Sequence, residues 1–354
     1  MKTLVIDPKN INQSLVEQAV TKLSEGGIVS LPTETVYGLA CRVDNQAAVN
    51  RLYELKARPK DKPFSLALGS VDEVFKSYFD VLPPFAYRLI EKFWPGPLTL
   101  VYYTRDDKKI GIRVPAQEIT QRILQDLGLA VFLPSANLSG QKEAVTAKEV
   151  EDTFGSKIDL IVDGGPADLS TASTVLDLTQ KPFKVLRDGS ISEEDIAKVF
   201  IRKRILFVCT GNSCRSPMAQ YLLEKYLRET KLYFEDRYEI ISRGISAPEG
   251  LAASGAVVDI LKSKEGVDIR DFSARRLTRQ IVFSSDLIFT MEDRQADYIL
   301  NSIPSASGRV FNLKKFLSPG SEQDIPDPIS QPMPVYEKVY SLIKEAILEL
   351  RDWV

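Results

Sequence analysis

Residues 208–219 read Val-Cys-Thr-Gly-Asn-Ser-Cys-Arg-Ser-Pro-Met-Ala, and the fold of the C-terminal part of the chain turns on them. The apolar run Arg204-Ile205-Leu206-Phe207-Val208 leads in, and an amphipathic pattern from Met218 to Leu227 leads out, so the reading is strand, loop, helix. The loop holds Cys209 and Arg215 with five residues between them. Gly211 is expected to take φ > 0 and bring the backbone close to a ligand. Pro217 suits a first helical turn, where its missing N–H costs nothing. Such a loop turns successive N–H groups toward an anion at a helix N-terminus, and the same field is expected to lower the pKa of a cysteine at its centre. Arg215 can fork onto two phosphate oxygens. The stretch thus offers a nucleophile, an anion cradle and a charge clamp. A tight turn around a structural cysteine is the plainer alternative, but C-x-G-N-x-C-R-S-P directly after an apolar strand is far more specific than a bare C-x₅-R.

Working outward, 354 residues suggest two domains, and 44% apolar residues can fill two cores. A net charge of −2 argues against a strongly basic nucleic-acid binder, yet leaves room for a local basic patch. The N-terminus is charged too early for a signal peptide, and no apolar run approaches membrane-spanning length. Three cysteines, two of them in one loop, make no disulfide framework, so a reducing cytoplasm is expected. The absence of histidine excludes Ser-His-Asp and Cys-His mechanisms and most zinc sites, leaving acid–base work to Asp, Glu, Lys or Tyr.

In chain order, strands are expected at Thr3–Ile6 and Ile28–Leu31, with a helix between them closed by Gly26 and Gly27. Pro32-Thr33-Glu34-Thr35-Val36-Tyr37-Gly38-Leu39 follows, hydroxyls and a glycine at a strand's C-terminal end, where ligand groups are common. A helix over about Asn45–Leu55 runs into Lys56-Ala57-Arg58-Pro59-Lys60-Asp61-Lys62-Pro63, a basic loop open to either solvent or phosphate. Strands follow Trp94-Pro95-Gly96-Pro97 and cover Ile110–Val114, the latter with the single charge Arg113. A helix at Glu118–Leu127 precedes strand Ala130–Leu133, which ends in Pro134-Ser135-Ala136-Asn137-Leu138-Ser139-Gly140. A helix at Ala147–Phe154, a strand at Leu160–Val162 and two strands at Ser173–Asp177 and Val185–Arg187 complete this part. Beyond Ser192–Phe200 and the basic link Ile201-Arg202-Lys203-Arg204, helix and strand alternate: Pro217–Arg228, Tyr238–Ser242, Leu251–Lys262, Asp286–Thr290 and a last helix Val335–Leu350. That alternation argues for a parallel sheet covered on both faces.

Two resemblances emerge. The C-terminal part, about 203–354, resembles the low-molecular-weight protein-tyrosine-phosphatase family. The N-terminal part resembles the YrdC-type threonylcarbamoyl-AMP synthases, carrying P-T-E-T-V-Y-G-L, K-x-R-P, W-P-G-P-L-T, P-S-A-N-x-S-G, S-T-V-x-D and L-R-x-G in order. The expected fold class is therefore α/β: an open, twisted α/β sheet domain over 1–200, then a doubly wound parallel-sheet phosphatase domain over 201–354.

The first resemblance implies a Cys209 nucleophile, Arg215 as clamp and Asp327, in Asp324-Ile325-Pro326-Asp327-Pro328, as general acid, with Asp324 the runner-up. Ser216 is implied to support the thiolate and Asn212 to brace the loop, with Thr210, Gly211, Ser213 and Cys214 completing the phosphate cradle. Cys214 sits close enough to Cys209 for a protective disulfide on oxidation. Ser213 and Ile329-Ser330 stand where tyrosine-specific members carry apolar and aromatic residues, which tilts the phosphoprotein substrate toward phosphoarginine; arsenate reduction is a third use.

The second resemblance implies synthesis of threonylcarbamoyl-AMP from L-threonine, bicarbonate and ATP, for tRNA threonylcarbamoyladenosine, with partner proteins downstream. Lys56 and Arg58, with Ser135 and Asn137, are implied to hold ATP phosphates. Lys62, Thr99 and Arg187 would contact nucleotide, and Thr35 and Ser173 threonine. Mg2+ is expected on the triphosphate, with no tightly bound metal. Many members carry a histidine shortly after K-x-R; here Ala67 lies in that region, which bears on threonine contacts. The rival reading is a nucleotide- or RNA-binding N-terminal module beside an active phosphatase; another makes the cysteine loop a phosphate sensor.

Overall fold

The computed structural model describes residues 2–230, 237–316, 324–350 and 354. They fall into two compact units, Met1–Asp80 with Leu89–Ile196, and Val81–Arg88 with Ala197–Val354. In chain order come β1 (Lys2–Val5), α1 (Gln13–Ser24), β2 (Val29–Leu31), β3 (Gly38–Arg42), α2 (Gln46–Leu55), β4 (Leu66–Ala67), α3 (Val71–Ser77) and α4 (Pro84–Phe93). Then follow β5 (Leu98–Tyr103), β6 (Lys109–Arg113), α5 (Glu118–Leu127), β7 (Val131–Phe132), α6 (Ala147–Phe154), β8 (Leu160–Asp163), β9 (Thr174–Asp177) and β10 (Lys184–Arg187). Helix α7 (Glu193–Ile201) carries the chain on into the second unit.

The ten strands of the first unit form one mixed sheet in the order β1-β8-β2-β3-β7-β4-β6-β5-β9-β10. Strand periodicity sorts its residues onto two faces. Val29, Leu31, Val131, Leu160 and Val162 pack with Val16, Ala19 and Leu23 of α1 and Ile119 and Ile123 of α5. The residues between them, Leu39, Cys41 and Ile161, pack with Val49 and Leu52 of α2 and Val150 and Phe154 of α6. Helix starts follow capping chemistry: Asn12 accepts from the Ser14 N–H, Asn45 from Ala48, and Thr146 and Glu149 form a capping box on α6.

The second unit continues with β11 (Lys203–Cys209), α8 (Arg215–Glu229), β12 (Tyr238–Gly244), α9 (Gly255–Glu265), α10 (Arg279–Ser284), β13 (Leu287–Thr290), α11 (Asp293–Ser302), β14 (Val310–Asn312) and α12 (Met333–Leu350). Its sheet is wholly parallel, in the order β12-β11-β13-β14. Ile205, Phe207 and Phe289 face α8, α9 and α12; Leu206, Val208 and Ile288 face Val282 of α10 and Ile299 of α11. The doubly wound reading therefore holds. Among the described residues no helix is long and apolar enough to cross a membrane.

Several expectations are corrected. The chain re-enters the first sheet at Gly38–Arg42, a strand that the sequence reading ran together with the turn before it. A Cβ on Gly38 would lie 2.7 Å from the Leu133 side chain, so only glycine lets β3 start that close to its neighbour. Helix α9 starts at Gly255 rather than Leu251, because Ser254 takes the extended cap conformation, φ −62 and ψ 141. The helices α3, α4, α10 and α11 and the strands β4 and β14 had not been assigned.

Glu265 at the end of α9 joins three helices. It accepts from Lys225 of α8 at 2.6 Å, from Lys344 of α12 at 2.7 Å and from the Tyr340 hydroxyl. Burial works to raise its pKa, but these donors together outweigh it and hold the carboxyl at about 2. A carboxylate so depressed stabilises the fold above its unfolded value of about 4.3, and that contribution fades as pH falls through the folded value. Glu265→Gln should therefore lower protection of the 333–350 amides by about 2 kcal/mol at pH 7. The gap from wild type should close as pH is taken from about 4 toward 2, as read by hydrogen exchange on the full chain.

Candidate active sites

In the first unit the loops at one side of the sheet enclose a cavity of about 690 Å³. Arg58, Lys62, Lys109, Arg113 and Arg187 line it against one carboxylate, Asp61, with Thr33, Thr35, Thr99, Ser135 and Ser173 supplying hydroxyls. Two of the five cations are neutralised: Lys109 by Asp177 at 2.6 Å and Arg113 by Glu34 at 2.7 Å. Arg58, Lys62 and Arg187 have no ion pair among the described residues. Arg58 donates to the Lys62 and Pro63 carbonyls at 2.9 and 3.1 Å and stands over the Phe64 ring, which stiffens the basic loop. Arg187 donates to the Ser173 carbonyl at 2.8 and 3.0 Å and to its hydroxyl at 2.9 Å; that hydroxyl lies 2.9 Å from Thr99 Oγ1. Thr35 is buried, its hydroxyl 2.8 Å from that of Thr33.

Lys56 and Asn137 do not line the cavity. Lys56 is 2% exposed, and its ammonium is spent on the Ser135 carbonyl at 2.5 Å, the Asn137 carbonyl at 2.7 Å and Asn137 Oδ1 at 3.1 Å. Asn137 completes the knot, accepting from Ser135 Oγ at 2.6 Å and donating to the Gln141 carbonyl at 2.5 Å. Of the four K-x-R and S-x-N residues, the structure thus puts Arg58 and Ser135 on the wall and Lys56 and Asn137 behind it. Burial, then Arg58, pushes the Lys56 ammonium down to about 8, with Glu143 opposing and Arg187 assisting. Sequence reasoning had not assigned Lys109, Arg113, Glu34 or Thr33. The lone charge in an otherwise apolar strand was the signal for Arg113.

In the second unit β11 delivers Cys209 to the mouth of the parallel sheet, and Arg215 opens α8. Cys209 Sγ lies 3.0 Å from Ser216 Oγ and accepts the Asn212 N–H at 3.2 Å. The Asn212 amide donates to Ser216 Oγ at 2.9 Å and Ser242 Oγ at 3.0 Å and accepts from the Arg275 N–H at 2.8 Å. The left-handed residue is Asn212, φ +52, and not Gly211 as expected; the side chain's hydrogen bonds hold it there. Thr210 Oγ1 accepts from Gln295 at 3.3 Å, and the Ser213 carbonyl accepts the Ser254 N–H at 2.9 Å.

Arg215 is 1% exposed. Nη1 bonds Glu292 and the Ile325 carbonyl (3.0 Å), Nη2 bonds Asp327 Oδ2 at 2.5 Å, and Nε, also buried, has no partner among the described residues. Asp324 lies elsewhere: its Oδ1 accepts from the Asp293 N–H and the Asn312 amide, both at 2.9 Å. Glu292 was missed. Its one signal is position, just past the C-terminal end of β13, where a parallel sheet places its functional groups.

The expected depression of the Cys209 thiol is reversed. Burial pushes it up, against the Ser216 hydroxyl, Arg215, and the Ser216 and Asn212 N–H groups. Arg215, whose charge two carboxylates share, works against that burial without overcoming it. All three cysteines are free thiols, and burial alone pushes Cys41 up to about 12.

With this geometry in place, the comparisons can be read. The Sua5/YciO/YrdC family model, described as telomere recombination, matches residues 21–189, and the low molecular weight phosphotyrosine protein phosphatase model matches 204–353. The threonylcarbamoyl-AMP synthase of Rattus norvegicus is 34% identical over 195 residues, 51% of this chain and 68% of the relative. That of Pyrococcus abyssi is 35% identical over 221 residues, 60% of this chain, and the match spans 65% of the relative's length. The crystal structure of P. abyssi Sua5 complexed with L-threonine is alike in fold, TM-score 0.54 at 22% identity, over 88% of this chain and 99% of that one. The chain belongs to the threonylcarbamoyl-AMP synthase family in its N-terminal part, and its C-terminal part matches the low molecular weight phosphotyrosine protein phosphatase model.

Arg215 opposes burial at Cys209, so Glu292→Gln, which removes one of its two carboxylate partners, should lower the pH midpoint of Cys209 alkylation by iodoacetamide. Mass spectrometry of the 209-containing peptide resolves it from Cys41 and Cys214. An unchanged midpoint would show that burial acts alone.

Proposed function

We propose that this chain is a bifunctional enzyme: a synthase of threonylcarbamoyl-AMP over about 1–200 and a cysteine phosphatase over about 201–354. The observation that carries the first half is the cavity with three unpaired cations, Arg58, Lys62 and Arg187, beside hydroxyls. ATP enters as its magnesium complex; Mg2+ belongs to the substrate, and among the described residues no three His, Cys, Asp or Glu side chains gather to hold a metal. Arg58 and Lys62 take triphosphate oxygens, and Ser135 donates from the wall that Lys56 and Asn137 support. Thr35 and Ser173 hold L-threonine, the amino acid in the P. abyssi Sua5 crystal structure. The threonine amine attacks the carbon of carbon dioxide derived from bicarbonate. The carbamate oxygen then attacks the α-phosphorus, and pyrophosphate leaves. Both steps build negative charge, which fixed cations stabilise without reorganising. The product feeds a tRNA modification, and no membrane partner is needed.

The second half is supported by the contact of Arg215 with Asp327 at the end of the loop that holds Cys209. The Cys209 thiolate attacks phosphorus, forming S–P as the bond to the leaving group breaks. Asp327 gives that group its proton, then takes one from water as water displaces the thiolate and phosphate departs. Arg215 and the loop N–H groups bind the equatorial oxygens. The small hydroxyl of Ser213 leaves polar room beside the cradle, and Ile329-Ser330 stand after Pro328 in place of aromatic residues, which supports a phosphoarginine over a phosphotyrosine protein substrate.

For the synthase, pyrophosphate release from ATP should require both L-threonine and bicarbonate and collapse in Lys56→Ala. Folded protein that releases none would leave residues 1–200 a binding module. For the phosphatase, Cys209→Ser should abolish turnover and Asp327→Asn lower kcat by about 10²–10³. Phosphoarginine peptide should be hydrolysed faster than its phosphotyrosine counterpart; a large excess the other way overturns the substrate assignment and spares the mechanism.

A further inference from the structure

Gln295, the third residue of α11, is 1% exposed, and both ends of its carboxamide are fully used. Oε1 accepts the Met291 N–H at 2.9 Å and the Glu292 N–H at 3.2 Å. Nε2 donates to Thr210 Oγ1 at 3.3 Å and to Glu292 Oε1 at 3.2 Å. These neighbours fix its orientation, since a flipped amide would set its NH2 against two N–H groups. The accepting half caps the helix, a task that glutamate performs equally well at this position. The donating half needs the amide, because an ionised carboxylate has no proton to give. Its two donors end on the two arms of the phosphate site. Thr210 follows Cys209 on the loop, its carbonyl held by the Ser246 N–H at 2.9 Å. Glu292 holds the clamp: the oxygen that accepts from Gln295, Oε1, is the one that Arg215 Nη1 bonds. Its other oxygen bonds Arg294, whose side chain is 69% exposed and whose charge water screens. Gln295 is thus a buried hold on that carboxylate, tied at its other N–H to the loop.

We propose that Gln295 is a positioning residue of the phosphatase reaction: its carboxamide joins Thr210 to Glu292 and thereby sets where the Arg215 guanidinium stands relative to Cys209. The inference rests on the phosphatase reading above. Gln295 acts through Glu292 and not on the phosphoryl group itself. Donors stabilise a transferring phosphoryl group most when they already stand where its charge gathers. A Glu292 carboxylate released from Gln295 can swing, and Arg215 swings with it.

The test uses the full chain, p-nitrophenyl phosphate as substrate and vanadate as inhibitor, since vanadate imitates the phosphoryl group in transfer. Gln295→Met keeps the length of the side chain and removes both donors. The inhibition constant of vanadate should rise about tenfold, and kcat/KM should fall by a similar factor. In a Glu292→Ala background the same substitution should cost less than about twofold further, since no carboxylate is left to position. An unchanged vanadate constant overturns the proposal. So does an equal loss in both backgrounds, which lost helix capping alone would produce. Should the methionine variant fail to fold, Gln295→Glu keeps both accepting contacts. Its kcat/KM relative to wild type should recover as pH falls from about 8 to about 5 and a proton restores a donor toward Glu292. A ratio that stays flat overturns the proposal. If wild-type protein hydrolyses no p-nitrophenyl phosphate, the phosphatase reading itself fails, and this inference falls with it.

Discussion

A guanidinium is buried almost completely in the second unit, and much of that unit is arranged to make its burial tolerable. An unpaired interior charge is too costly to persist, so Arg215 must be met by anions and acceptors, and two other segments supply them. Glu292 comes from the end of β13, the Ile325 carbonyl and Asp327 from the stretch before α12, and the loop after β11 supplies the arginine itself. The nucleophile, the clamp and the acid lie far apart in sequence, and this ion cluster is what assembles them. Burial sets the direction of the Cys209 shift, and Arg215, shared between two carboxylates, opposes it without reversing it.

The first unit solves the opposite problem. Its cavity keeps positive charge in excess, and it does so by orienting the cations with backbone carbonyls in place of acids. Arg58 leans on Lys62 and Pro63, and Arg187 on Ser173; both stay oriented while their charges stay available. Arg113 and Lys109, by contrast, are tied to carboxylates and shape the wall.

Much of this was legible in the sequence wherever local chemistry leaves a local mark. The parallel sheet of the second unit follows from apolar runs alternating with amphipathic ones, and its loop from cysteine, arginine and a proline at fixed offsets. What escaped was non-local. Gly38–Arg42 is buried on both faces, so it shows none of the alternation that marks a half-exposed strand. Glu292 looks like any acid before a helix until the fold sets it against Arg215. The left-handed turn was credited to Gly211 because glycine tolerates it, whereas Asn212 adopts it because Ser216, Ser242 and Arg275 hold its side chain.

The knot around Lys56 has a consequence for how this protein can change over generations. Residues 56 and 137 are 81 positions apart in sequence, yet all three ammonium donors of one end on the loop of the other. The two motifs are thus a single heritable object written in two places. A drift at 135–137 that moves either carbonyl strands a buried cation, and a loss at 56 strands the carbonyls. Neither half can wander alone, whereas the exposed Lys60 of the same basic loop donates at 3.4 Å to Asn50 Oδ1, with no buried charge at stake.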